Sequence, residues 1–151
     1  MKKLFSENYG WLKLKCRIIK EKASVYEKIL ITNSNLAAKL LKPMRTCDKE
    51  TFTIILLNAK NIVLGVHELY VGTINSIPIS PRDLLKIVLL SNSNAAIIAH
   101  NHVSGDEKPS EEDIYTTKKL KEAFDLMGIK LCDHIIITMD SHYSFADNNL
   151  I

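Results

Sequence analysis

The stretch Ala95-Ala96-Ile97-Ile98-Ala99-His100-Asn101-His102 decides how this chain is read. Its first five residues form a short, wholly apolar run, typical of a strand buried on both faces. The polar segment from His100 to Pro109 contains Ser104-Gly105-Asp106 and reads as a loop. Ser110 then begins a longer helix, in which Ile114, Thr117, Leu120, Phe124 and Met127 follow helical spacing and Gly128 supplies the stop. Ile129 to Thr138 returns to strand, and Tyr143 to Phe145 gives a short last one.

The same alternation extends toward the N-terminus. Ser80-Pro81 is a cap followed by proline at the first helical position, and Leu84, Leu85, Val88 and Leu89 give that helix its apolar face. Glu50 opens the run Thr51-Phe52-Thr53-Ile54-Ile55-Leu56-Leu57. Asn58 to Asn61 is a turn, Ile62 to Val71 is the return strand, and Gly72-Thr73 breaks it. Ser34 caps a short helix through Leu36, Ala37, Leu40 and Leu41, ended by Pro43. Leu12 to Ile19 alternates as a half-buried strand. Helices and strands thus surround a central, mixed sheet, an α/β (α+β) class in one domain. Residues 31–151 form that domain, and residues 1–30 are read as a basic strand or extension attached to it.

Composition sets the outer limits. With 151 residues, 46% hydrophobic and 25% charged, the chain suits one globular domain that buries its own core. Cys16, Cys47 and Cys132 are odd in number and far apart, which points to a reducing, cytoplasmic setting rather than a disulfide framework. No stretch approaches the length of a membrane span, and no apolar run of signal-peptide length follows Met1. The net charge of +3 is uneven: residues 1–28 hold eight Lys or Arg against three Glu, and the remainder is slightly acidic. That basic segment reads as a solvated strand face or as a weak nucleic-acid contact.

The chemistry lies where the apolar strand ends. In extended backbone His100 and His102 point to one side and Asn101 to the other. Asp113, in the first turn of the next helix, completes a set of three ligands when the loop folds back. Two neutral imidazoles and one carboxylate suit Zn2+ with a fourth position left for water, the pattern of catalytic zinc. Zinc held this way lowers the pKa of water to about 7. The same residues also read as two hydrogen-bonded histidines at a strand end and an acid in a capping box, Ser110-Glu111-Glu112-Asp113.

The segment from His100 to Asp113 resembles the signature of RadC-like proteins, a branch of the JAMM (JAB/MPN-type) metal-dependent hydrolases. Glu50-Thr51-Phe52, Val71-Gly72-Thr73, Ser80-Pro81-Arg82-Asp83, Asn94-Ala95-Ala96, Gly128-Ile129 and Leu131-Cys132-Asp133-His134-Ile135-Ile136-Ile137 resemble further family segments in family order. The resemblance covers roughly residues 31 to 147. Val103 stands where the family usually has proline, and Thr138 where glycine is usual. The chain reads as too short to hold the helix-hairpin-helix-like domain that precedes this unit in longer relatives.

The resemblance implies a zinc-dependent hydrolase of the metallopeptidase or isopeptidase type, acting on a peptide or protein, with His100, His102 and Asp113 as ligands. It places the general base at Glu50 and gives Ser110 the role of donor to the oxyanion; Glu68, mid-strand and nearer the histidines in sequence but away from the family's position, is the runner-up base. Asp133 and His134 read either as groups that orient a ligand or as a satisfied core pair. His67 and His142 are expected at the surface, and Tyr115 is expected in packing. Two other functions stand beside the hydrolase: a DNA-repair-associated, nucleic-acid-binding protein, as RadC relatives have been labelled, and a non-catalytic interaction domain. Exposed strand edges make a homodimer an expectation.

Overall fold

The computed structural model describes residues 28–72 and 79–151. The chain order is α1 (Ser34–Leu40), a 3-10 helix (Lys42–Thr46), β1 (Glu50–Leu57), β2 (Val63–Gly72), α2 (Pro81–Leu90), β3 (Ala95–Asn101), α3 (Glu111–Leu126), β4 (Lys130–Ile137) and β5 (His142–Ser144). The strand expected at Leu12 to Ile19, and most of the basic segment, lie outside the described residues. Among the described residues no helix is long and apolar enough to cross a membrane.

The five strands form one mixed sheet in the order β2-β1-β3-β4-β5. β1 runs antiparallel to both β2 and β3, β3 and β4 are parallel, and β5 returns antiparallel to β4. A parallel pair needs a long crossover, and α3 supplies it. The α/β class expected from the apolar run at Ala95 is the class observed.

Side chains alternate between two apolar layers. Ile55, Leu57, Ile97, Ala99, Ile135 and Ile137 pack against Ala37 and Ala38 of α1 and against Leu41 and Met44 just after it. Phe52, Ile54, Leu56, Ala96 and Ile98 pack against Leu84 and Val88 of α2 and Leu120 and Phe124 of α3. Strands β1 and β3 are therefore apolar at consecutive positions because both faces are covered.

The end signals act largely as expected, with local differences; Ser80 precedes the proline start of α2 but makes no side-chain capping bond. Asn33, not Ser34, caps α1: its Oδ1 accepts from Leu36 N at 3.0 Å. Ser34 is instead the first helical residue, and its hydroxyl donates to Asp147 Oδ2. In α3 only Thr117, Leu120 and Phe124 are buried, whereas Ile114 and Met127 are exposed. Gly128 ends α3 with φ +67°, a left-handed conformation that glycine adopts without the strain of a Cβ.

Candidate metal centre

β1 and β3 pair with Phe52 opposite His100. Opposed residues of an antiparallel pair share a face, so His100 lies on the α3 side with Phe52. Continued along the strands, this register sets Glu50 beside His102 on that side. Asn101 and Thr51 fall on the opposite face.

Asp113 and Thr117 are four residues apart and so occupy one side of α3. Thr117 is buried against the sheet, and Asp113 sits one turn earlier, over the end of β3. The loop between His102 and Ser110 returns on itself, with Gly105 at φ +84° and His102 Nδ1 2.6 Å from Asp106 O.

These constraints bring the three expected ligands together. His100 Nε2 lies 2.9 Å from His102 Nε2 and 3.1 Å from Asp113 Oδ1. His102 Nε2 lies 3.5 Å from Asp113 Oδ2. A tetrahedral site with metal–ligand bonds near 2.0 Å has edges of about 3.3 Å, so these separations bracket the requirement. Two imidazoles and a carboxylate are also a donor set that zinc accepts. The residues present therefore fit a metal ion. His100 is buried, and His102 and Asp113 keep partial solvent access, so the site opens on one side.

Charge favours the ligating states unequally. Burial by itself would raise the Asp113 pKa, but the close approach of the His100 and His102 imidazoles and the Ser110 hydroxyl outweighs it and holds the carboxyl well below the usual range. His102 is raised, chiefly by its hydrogen bond to Asp113, with smaller contributions from Asp106 O and the charge of Glu50.

The other expected residues divide clearly. Glu50 is half-buried at the start of β1, on the histidine side. Glu68 pairs with Thr53, whose side chain faces the α1 layer, so Glu68 points away from the histidines. Ser110 closes a capping box: its Oγ donates to Asp113 Oδ2 at 2.6 Å and accepts from Asp113 N at 3.1 Å. Its one proton is thus engaged with a ligand, and service to an oxyanion requires that bond to be released. Tyr115 is 67% exposed, so the packing expected of it is not observed. His67 is exposed and His142 half-exposed.

Asp133 and His134 are not a pair. The register between β3 and β4 shifts at Ala96/Ile97, which leaves Cys132 as an extra residue in β4. Leu131 and His134 consequently share the α3 face. Asp133 turns the other way and accepts from Ser144 Oγ at 2.7 Å and Ala146 N at 3.0 Å. His134 is fully buried, and its Nε2 lies 2.9 Å from His100 Nδ1. Burial pushes its pKa well below the ordinary imidazole value.

Asn101 is a residue that motif reading set aside as facing away. Its Oδ1 accepts from Thr51 N at 2.7 Å and Thr51 Oγ1 at 2.8 Å, and its Nδ2 donates to Lys49 O at 3.0 Å. It therefore holds the peptide groups on both sides of Glu50. A polar residue between the two histidines, opposite the start of an apolar strand, was the available signal.

A family model described as RadC-like JAB domain matches residues 31–150. A UPF0758 protein of Staphylococcus epidermidis (strain ATCC 12228 / FDA PCI 1200) is 46% identical over 115 residues, covering 76% of this chain and 51% of the relative. A second, from Staphylococcus haemolyticus (strain JCSC1435), is 44% identical over 122 residues, covering 80% and 54%. A third, from Clostridium beijerinckii (strain ATCC 51743 / NCIMB 8052), is 39% identical over 129 residues, covering 85% and 56%. The chain thus spans about half the length of these curated relatives.

Proposed function

This chain belongs to the RadC-like JAB domain family, and from that membership we propose that it is a zinc-dependent hydrolase cleaving an amide bond of a peptide or protein. The observation that carries the proposal is the convergence of His100 Nε2, His102 Nε2 and the Asp113 carboxylate at separations a tetrahedral site needs, with one side open. Zinc, when bound, supplies Lewis-acid catalysis: it polarises a carbonyl and makes water available as a nucleophile near neutral pH.

The chain's own residues do the rest. The Asp106 carbonyl accepts from His102 Nδ1–H, which leaves Nε2 with a lone pair for the metal. Ser110 anchors Asp113 through both its hydroxyl and its backbone N–H. Glu50, fixed by the clamp of Asn101 on its flanking peptides, takes a proton from the attacking water and delivers it to the leaving nitrogen. Ser110 assists the oxyanion by transferring its hydroxyl proton contact from Asp113 to the substrate oxygen.

The test is Glu50→Gln. It should keep the zinc content of the wild type and abolish cleavage in a peptide library read by mass spectrometry. Cleavage by Glu50→Gln at the wild-type rate would remove Glu50 from the mechanism. Absence of cleavage by the zinc-loaded wild type across peptide and isopeptide libraries would remove the amide reading.

A further inference from the structure

We infer that His134 and Thr117 are positioning residues that fix the tautomer of His100, keeping Nδ1 protonated so that Nε2 presents its lone pair to the metal site. The inference uses the metal-site reading of His100 and is independent of the bond that the enzyme cleaves.

The direction of every proton follows from one backbone carbonyl. Thr117 Oγ1 lies 2.6 Å from Asp113 O. A carbonyl only accepts, so the single hydroxyl proton of Thr117 is spent there. Thr117 Oγ1 also lies 2.6 Å from His134 Nδ1. With its proton committed, the hydroxyl accepts in this second contact, and Nδ1 of His134 must be the donor. The remaining nitrogen of a neutral His134, Nε2, is then an acceptor. It faces His100 Nδ1 at 2.9 Å, so the proton in that contact belongs to His100. The opposite nitrogen of His100 is left with a lone pair, and that is the atom facing His102 Nε2 and Asp113 Oδ1.

The chain of bonds therefore runs His100 → His134 → Thr117 → Asp113 and ends on the residue whose side chain supplies another ligand. If either member were missing, His100 would be able to place its proton on Nε2, where it blocks the metal. Aromatic packing holds the relay in line: His134 stacks on Phe145 at 4.7 Å and 20° between planes. His134 and Thr117 are almost wholly excluded from solvent, so water does not compete for these contacts.

The experiment uses the full chain labelled with 15N-histidine. Long-range proton–nitrogen spectra of the zinc-free protein distinguish the two tautomers, and chelator competition gives the zinc Kd. In the wild type His100 and His134 should both appear as Nδ1–H tautomers. Thr117→Val, nearly isosteric, should give a mixture of tautomers at His134 and His100 and weaker zinc binding. His134→Phe, which keeps the aromatic stack and removes the acceptor, should weaken zinc binding about 10- to 100-fold. His134→Gln should restore part of that loss, because its amide oxygen can accept from His100. A protonated Nε2 on His100 in the zinc-free wild type would overturn the inference. So would Thr117→Val with wild-type tautomers and wild-type Kd; if His134→Phe fails to fold, that variant and the wild-type spectra decide. A merely structural role would lower Tm without moving the tautomers, which also counts against the inference. Failure to find any cleaved amide leaves all these readouts intact and counts only against the hydrolase reading.

Discussion

Asn101 binds no metal in this arrangement, yet it decides where Glu50 stands. Its three hydrogen bonds to Lys49 and Thr51 are buried or nearly so. Asn101→Ala leaves Thr51 N–H without its partner and should cost about 1–3 kcal/mol in urea unfolding. Hydrolysis should fall while zinc stoichiometry stays unchanged, which separates this residue from the ligands. His102 gives a pH prediction of definite sign. Its pKa in the zinc-free protein is raised, chiefly by Asp113. The charged pair therefore stabilises the zinc-free fold fully below the ordinary imidazole value, and that contribution is lost as pH rises through the raised value. Zinc requires a neutral His102, so zinc affinity should climb through the same window, from the ordinary imidazole value upward through the raised one. Chelator competition across that range measures it. A pH-independent affinity there would contradict His102 as a ligand.

At the scale of elements, α3 carries both stability and the site. Ser110→Ala removes the hydroxyl half of the capping box and should cost about 1 kcal/mol of stability. It should also weaken zinc binding, because Asp113 Oδ2 loses its contact with Ser110 Oγ. Thermal unfolding and zinc titration of the same variant read the two effects separately. The capping box, the proline start of α2 and the apolar runs of β1 and β3 were legible because they are local patterns. The inward face of α3 was legible only in its middle, since Ile114 and Met127 have helical spacing but lie beyond the cover of the sheet. The extra residue at Cys132 was not legible at all. It exists only in the pairing of β4 with β3, and it is what sends His134 to the side of His100 and Asp133 to the other. For the same reason a motif containing Asp133-His134 reads as a pair although the two side chains serve different layers. The linear chain ranked Glu50 over Glu68 only through the family resemblance; strand register separates the two by face.

For the whole molecule, the mixed sheet gathers distant residues at one end. Glu50 comes from the start of β1, His100 and His102 from the end of β3, and Asp113 from the first turn of the crossover helix. None of these groups needs a neighbour close in sequence, except the two histidines. Binding to the folded form alone stabilises it, so zinc at 100 times its Kd should add about 2.7 kcal/mol, visible as a rise in Tm reversed by chelator. The most direct measurement is the zinc content of the purified chain after chelation and reloading, compared with His102→Ala and Asp113→Asn. Convergence of the three side chains predicts one tightly held zinc per wild-type chain and its loss in both folded variants. A wild-type chain that holds none, or variants that keep the metal, would contradict it.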